Sequence, residues 1–174
     1  MVATPAPVEG TTMKGDPEII RTLNRVLTNE LTAVNQYFLH ARMFESWGLT
    51  HLGDIIYKES IGEMKHADLL IKRILFLDAL PNLQDLHKLK VGEDPIECLE
   101  ADLKLELDSR LATRDALTEC ENARDYVSRE MLQQILTDTE HHIDFLENQL
   151  NLVQLMGKQN YLQSAMKEIV GEGH

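Results

Sequence analysis

The chain is poor in what most non-helical folds need. Aromatic residues make up 5% of its 174 residues, and there are only five prolines and nine glycines. Regular alternation of apolar and polar residues, the mark of half-buried strands, is missing as well. Leu, Glu, Ala, Asp and Lys fill the long stretches instead, a bias towards helix. No run of about 18 apolar residues exists, so the sequence offers no membrane-spanning helix. Basic residues are in deficit, with 17 Lys and Arg against 29 Asp and Glu, for a net charge of −12. Without a Lys/Arg cluster, nucleic acid is not an expected partner. The acidic surplus gives a soluble surface, or one that attracts cations. There are two cysteines, Cys98 and Cys120. On one helix they would stand about 33 Å apart at 1.5 Å per residue. That is too far for a disulfide, and free thiols fit a reducing cytoplasm. The first residues lack the basic start and apolar core of a secretory signal. Pro5, Pro7 and Gly10 mark residues 1–15 as an expected disordered extension, with one domain over 16–174.

What is present is helical periodicity. Asp16-Pro17 supplies an N-cap and a proline at the first helical position. Ile19, Leu23, Val26, Leu27, Val34, Tyr37, Ala41 and Phe44 then follow one stripe, and Gly48 is a stop. The spacing predicts a helix over about 17–47. A second is expected over 49–77, with Ile56, Leu70, Ile74 and Leu77 inward. Residues 78–94 carry Pro81, Asn82 and Gly92 and little periodicity, as befits a long crossover. Asp94-Pro95 repeats the start signal for a third helix to about 122, with Leu99, Leu103, Ala116, Leu117 and Cys120 inward. A fourth is expected over 124–156, with Val127, Leu132, Ile135, Leu146, Leu152 and Met156 inward and Gly157 as its end. A short amphipathic piece over about 159–169 carries Tyr161, Leu162, Ala165 and Ile169. Two helical hairpins joined by one crossover, with a short fifth helix, is the all-α ferritin-like four-helix-bundle layout.

Charged residues interrupt these apolar stripes at one level. Glu30 sits between Leu27 and Val34, and Glu63 and His66 sit between Ile56 and Leu70. Glu106 sits between Leu103 and Ala116, and His142 between Ile135 and Leu146. Singly, each is what any solvated helix offers. Together, in core phase on four helices, they are a ligand set, because a buried carboxylate pairs or binds metal. Carboxylates with imidazoles suit iron, manganese or zinc. One Glu from each of two helices and Glu-x-x-His from each of the other two is the di-iron carboxylate arrangement. The fourth helix departs from it: Thr139 stands three residues before His142, where a Glu is expected. Glu140 points about 100° further round the helix and cannot replace it. Asp138, i,i+4 to His142, and Asp102, one turn before Glu106, are placed to accept a hydrogen bond from a ligating histidine. Met64 is turned away from the core, on a second apolar stripe with Tyr57, Ile61, Ile71 and Leu75. Two stripes on one helix point to a neighbouring subunit. A methionine there is either interface packing or an axial haem ligand.

From Met13 to about Lys167 the chain resembles the bacterioferritins. The stretches that carry the resemblance are Met13-Lys-Gly-Asp16, Asn29-Glu-Leu, Asn35-Gln-Tyr-Phe-Leu-His-Ala-Arg-Met-Phe44, Glu63-Met-Lys-His-Ala-Asp68, Arg73-Ile-Leu-Phe-Leu77, Leu80-Pro-Asn-Leu-Gln-Asp85, Tyr126-Val-Ser-Arg129 and Gln159-Asn-Tyr-Leu-Gln163. The resemblance implies a 24-subunit cytoplasmic shell that stores iron as a ferric mineral. It implies that Glu30, Glu63, His66, Glu106 and His142 line a ferroxidase centre, with Tyr37 as a nearby electron donor. It implies that Met64 and its symmetry mate hold haem b at a two-fold interface, and that a small ferredoxin supplies electrons. Thr139 departs from the family pattern. So do Lys58 and Gly62, where some members carry a His and an Asp of an inner-surface iron site. Because bacterioferritins of two types co-assemble in some bacteria, a second expectation is a haem-carrying, oxidation-impaired subunit that relies on a partner.

Overall fold

The computed structural model describes residues 14–166, and these contain five helices: α1 Pro17–Ser46, α2 Thr50–Phe76, α3 Pro95–Asn122, α4 Tyr126–Met156 and α5 Lys158–Ser164. The extension expected over 1–15 lies outside the described residues up to position 13, as does Ile169. Gly15 donates its N–H to Leu77 O (3.0 Å), tying the start of α1 to the end of α2.

The starts of the helices follow from their caps. The Asp16 carboxylate accepts from Glu18 N (2.8 Å), and Asp94 accepts from Ile96 N and Glu97 N (2.8 and 3.0 Å). Each satisfies helix N–H groups that have no partner within the helix. Asp125 does the same for α4, accepting from Ser128 N (3.0 Å). The four long helices stop where the backbone takes a positive φ. Gly48 and Gly157 (φ 82° and 80°) adopt that conformation without a side-chain penalty.

α1 packs along α2 and α3 along α4, and α1 against α3 joins the two hairpins. The apolar core falls into two parts. Leu23, Leu27, Leu70, Ile74, Leu132 and Ile135 anchor one, and Tyr37, Phe44, Ile56, Leu99, Leu146 and Tyr161 the other. Each fully buried aliphatic side chain contributes roughly 1.5–3 kcal/mol. That gain offsets the cost of a polar layer between the two parts, where the charged residues of four helices meet. Cys98 and Cys120 are both buried and free on α3, and burial pushes their thiols up to about 12.

The crossover is extended, and α1 holds it with side chains rather than with a sheet. Asn82 N donates to Asn24 Oδ1 (2.7 Å), His87 N to Thr32 Oγ1 (3.0 Å) and Lys90 N to Gln36 Oε1 (3.0 Å). Gly92 N donates to His40 Nε2 (3.3 Å). Positions 24, 32, 36 and 40 lie on an i,i+4 row that winds slowly round α1, so the helix offers a slanting column of acceptors for otherwise unpaired backbone. At Gly92 a Cβ would stand 2.3 Å from Cys98 N, so only glycine lets the crossover reach the start of α3.

Three apolar positions of α4 face elsewhere than expected. Val127 is 63% exposed, and Leu152 and Met156 are exposed too. The inward position of the first turn belongs to Ser128, whose hydroxyl accepts from Arg73 Nε (2.8 Å). Near the other end Val153, one residue round from Leu152, is the buried one. Leu103 and Leu117 on α3 are partly buried, packed at the margins of the core.

Candidate metal centre

Glu30 of α1, Glu63 and His66 of α2, Glu106 of α3 and His142 of α4 are all buried in the polar layer. They form two overlapping groups whose donor atoms lie within 4.8 Å of one another: Glu30, Glu63 and His66, and Glu63, Glu106 and His142. Glu63 belongs to both. All five residues picked out by core phase therefore meet.

In the first group, His66 Nδ1 lies 3.0 Å from Glu30 Oε2 and 3.1 Å from Glu63 Oε2. Its Nε2 lies 3.0 Å from Asp138 Oδ2. Asp138 accepts from Nε2–H and so turns Nδ1 towards the two glutamates. A ring nitrogen facing two carboxylate oxygens needs a positive charge between them. Either a proton or a metal ion supplies it. Burial alone would lower the His66 pKa, but the hydrogen bonds to Glu30 and Glu63 outweigh it and raise it to about 11. Burial, then the charge of Glu30, raises Glu63 to about 8.

In the second group, His142 Nδ1 lies 2.9 Å from Glu106 Oε1, which also accepts from the Tyr37 hydroxyl. His142 is raised to about 9, the bond to Glu106 outweighing burial. Glu106 is raised too, by burial and then by Glu63. Tyr37 meets His142 edge-on, with ring centroids 5.1 Å apart. Its phenol is pushed well above the usual range by burial and then by Glu106. Tyr37 is thus a neutral donor touching the centre directly. His142 Nε2, buried, has no partner among the described residues, in contrast to the Asp138-backed His66. Thr139 is buried on the same face of α4. The two halves are therefore unequal. The donor set suits divalent cations: carboxylates and imidazoles held together against mutual repulsion, with a cation replacing the protons.

One placement differs from sequence expectation. Asp138 backs a histidine of the centre as expected, and that histidine is His66 across the bundle. Asp102 backs neither His66 nor His142. His40 Nδ1 and Gln36 Nε2 both donate to its Oδ1, at 2.8 and 2.9 Å. Sequence reasoning passed over His40 and Gln36; their spacing of four residues on the buried face of α1 was the available signal. Glu59, one turn before Glu63, was passed over as well. Its Oε2 lies 4.0 Å from His142 Nδ1.

Met64 is 52% exposed on the outer face of α2, turned away from the centre. Leu75, on the same stripe, is 56% exposed. Lys58 is exposed, and Gly62 borders the cavity beside the centre.

A model of the ferritin-like domain matches residues 20–156. The chain is 47% identical to a bacterioferritin of Brucella melitensis over 151 residues, 87% of this chain and 94% of that protein. It is 46% identical to one of Rhodobacter capsulatus over 149 residues, 86% of this chain and 92% of that protein. One from Mycobacterium avium is 44% identical over 149 residues, covering 86% and 94%. The family match and the similarity along nearly the whole of both chains agree: the chain belongs to the bacterioferritins, within the ferritin-like family.

Proposed function

We propose that this chain is the iron-storing subunit of a cytoplasmic cage of 24 copies, with a mid-bundle centre that oxidises Fe(II) less readily than a complete one. Iron storage follows from family membership. The observation that carries the rest is the convergence of Glu30, Glu63, His66, Glu106 and His142 at one level of the bundle. In this reading Fe(II) is the substrate. Each ion gives one electron to dioxygen or peroxide, and the product passes to the mineral. Glu30, Glu63 and His66 hold one ion; Glu63, Glu106 and His142 hold the other. Tyr37, bonded to Glu106, is placed to give an electron with its proton passing to that carboxylate. Met64 and its symmetry mate would hold haem b at a subunit interface, where the group would supply a path for electrons from a small ferredoxin to the mineral for iron release.

Thr139 supports a second reading, in which this chain carries haem and relies on a partner subunit for oxidation. Single-turnover oxidation by the purified homopolymer separates the two. Oxidation that saturates at two Fe(II) per subunit supports the first. Oxidation no faster than in protein-free buffer supports the second. A chain that takes up no metal at the centre and shows no Soret band on adding haem overturns both.

A further inference from the structure

The two halves of the centre differ by one carboxylate. Two divalent cations carry four positive charges, and Glu30, Glu63 and Glu106 bring three negative ones. Thr139 adds none. In a buried site this imbalance falls on the position next to His142, because His66 is already backed by Asp138.

We propose that Glu59 supplies the missing ligand from α2 by swinging over His142 when the second cation binds. Glu59 is i,i+4 to Glu63, so the two carboxylates rise from the same face of α2, one turn apart. Its Oε2 is 4.0 Å from His142 Nδ1, the ring nitrogen that faces Glu106 and the second position. His142 is its ion-pair partner among the described residues, and its side chain is 37% exposed. There is room for the motion. A cavity of about 290 Å³ between α2 and α4 is lined by Glu59, Glu63, His66 and His142. Gly62 keeps one wall bare, since a Cβ there would meet nothing within 4 Å.

The rival carboxylates are committed elsewhere. Asp138 accepts from His66 and from Gln134, and Glu140 accepts from Arg110 Nε (2.7 Å). With Glu59 in place the centre holds four carboxylates for two dications. The ligand that α4 lacks then comes from the helix opposite.

This inference rests on the reading of the cluster as a metal centre, and the test keeps the two apart. The assembled full-length protein is titrated anaerobically with Co(II), and binding is counted by visible d–d absorption and equilibrium dialysis. Wild type is expected to take two ions per subunit. Glu59→Gln is expected to keep the first and to weaken the second by roughly 10–100-fold. Adding Thr139→Glu to Glu59→Gln is expected to restore it. Three results would overturn the role of Glu59 and leave the metal centre standing: one ion in wild type, an undiminished second ion in Glu59→Gln, or no recovery in the double variant. Failure to bind even one ion would remove the centre itself.

Discussion

At the level of single residues, the difference between the two imidazoles organises the chemistry. His66 has Asp138 behind it, and His142 Nε2 has no partner among the described residues. A carboxylate on the far nitrogen fixes the tautomer and makes the near nitrogen a better ligand. Asp138→Asn is therefore expected to weaken metal binding at the Glu30–Glu63–His66 position by roughly 10–100-fold, with little change at the other, as read by Co(II) titration. Thr139→Glu acts on the opposite half. It should speed the first turnover of Fe(II) oxidation by about tenfold or more, the lower end of what one ligand-supporting group contributes. An unchanged rate in stopped-flow absorbance would show that Thr139 is not what limits the centre. The five residues of the candidate centre were legible in the sequence because each is polar where its helix should be apolar. Glu59 was not, because its partner lies on another helix; the i,i+4 spacing of Gln36 and His40 signals a buried polar pair on α1 but does not reveal Asp102 as its partner.

Between residues and the whole lie the helices, whose ends are fastened by ionic and polar contacts. Asp125 caps α4 through Ser128 N and also accepts from Arg73 Nη2 of α2 (2.8 Å), joining the end of one hairpin to the start of the other helix pair's return. Burial would raise the Asp125 pKa, but Ser128 and the Arg73 guanidinium outweigh it and hold it below the usual carboxylate range. A pKa lower in the folded than in the unfolded state stabilises the fold above the unfolded value of about 3.9 and stops doing so as pH falls through the folded value. Asp125→Ala removes the cap and strands Arg73, at a cost of roughly 2 kcal/mol at neutral pH. In thermal unfolding at fixed protein concentration, the gap between wild type and variant should be full at pH 7 and close below about pH 4. A gap that persists there would assign the loss to packing. The bounds of the four long helices were legible to within a residue or two, because Asp-Pro starts and glycine stops are local signals; α5, expected to run to about 169, ends at Ser164 with no such stop. Val127 was misplaced because the inward slot of that turn goes to Ser128, chosen by Arg73 from another helix. The column of acceptors on α1 was invisible for the same reason. Thr32, Gln36 and His40 read as polar interruptions until the crossover lies against them.

On the scale of the whole molecule, α1 and α2 present an outer face too apolar for a free surface. Phe38, Met64 and Leu75 are each about half exposed or more, and Tyr57, Ile61 and Ile71 partly so. Arg42 lies over the Phe38 and Tyr57 rings, 5.4 and 4.8 Å from their centroids, covering part of the face with its guanidinium. A contiguous apolar face of this kind marks an interaction site. In the proposed cage it meets its own copy about a two-fold axis, which brings two copies of Met64 together. Assembly and haem binding then depend on the same face but through different residues, and two variants separate them. Met64→Leu keeps the volume and apolar character of the side chain and removes the thioether. It is expected to leave sedimentation unchanged while abolishing the sharp Soret band on haem addition, because leucine offers the iron no ligand. Leu75→Glu places a charge on the same stripe, three turns away, with no role in holding haem. It is expected to shift sedimentation from the large assembly to small species, since an unpaired carboxylate in an apolar interface costs several kcal/mol at each copy, and the cage repeats that cost at every two-fold contact. If Leu75→Glu still sediments as wild type, the outer face of α2 is not a subunit contact. Met64 would then have no symmetry mate within reach, so the haem proposal would fall with the interface that was to build its site.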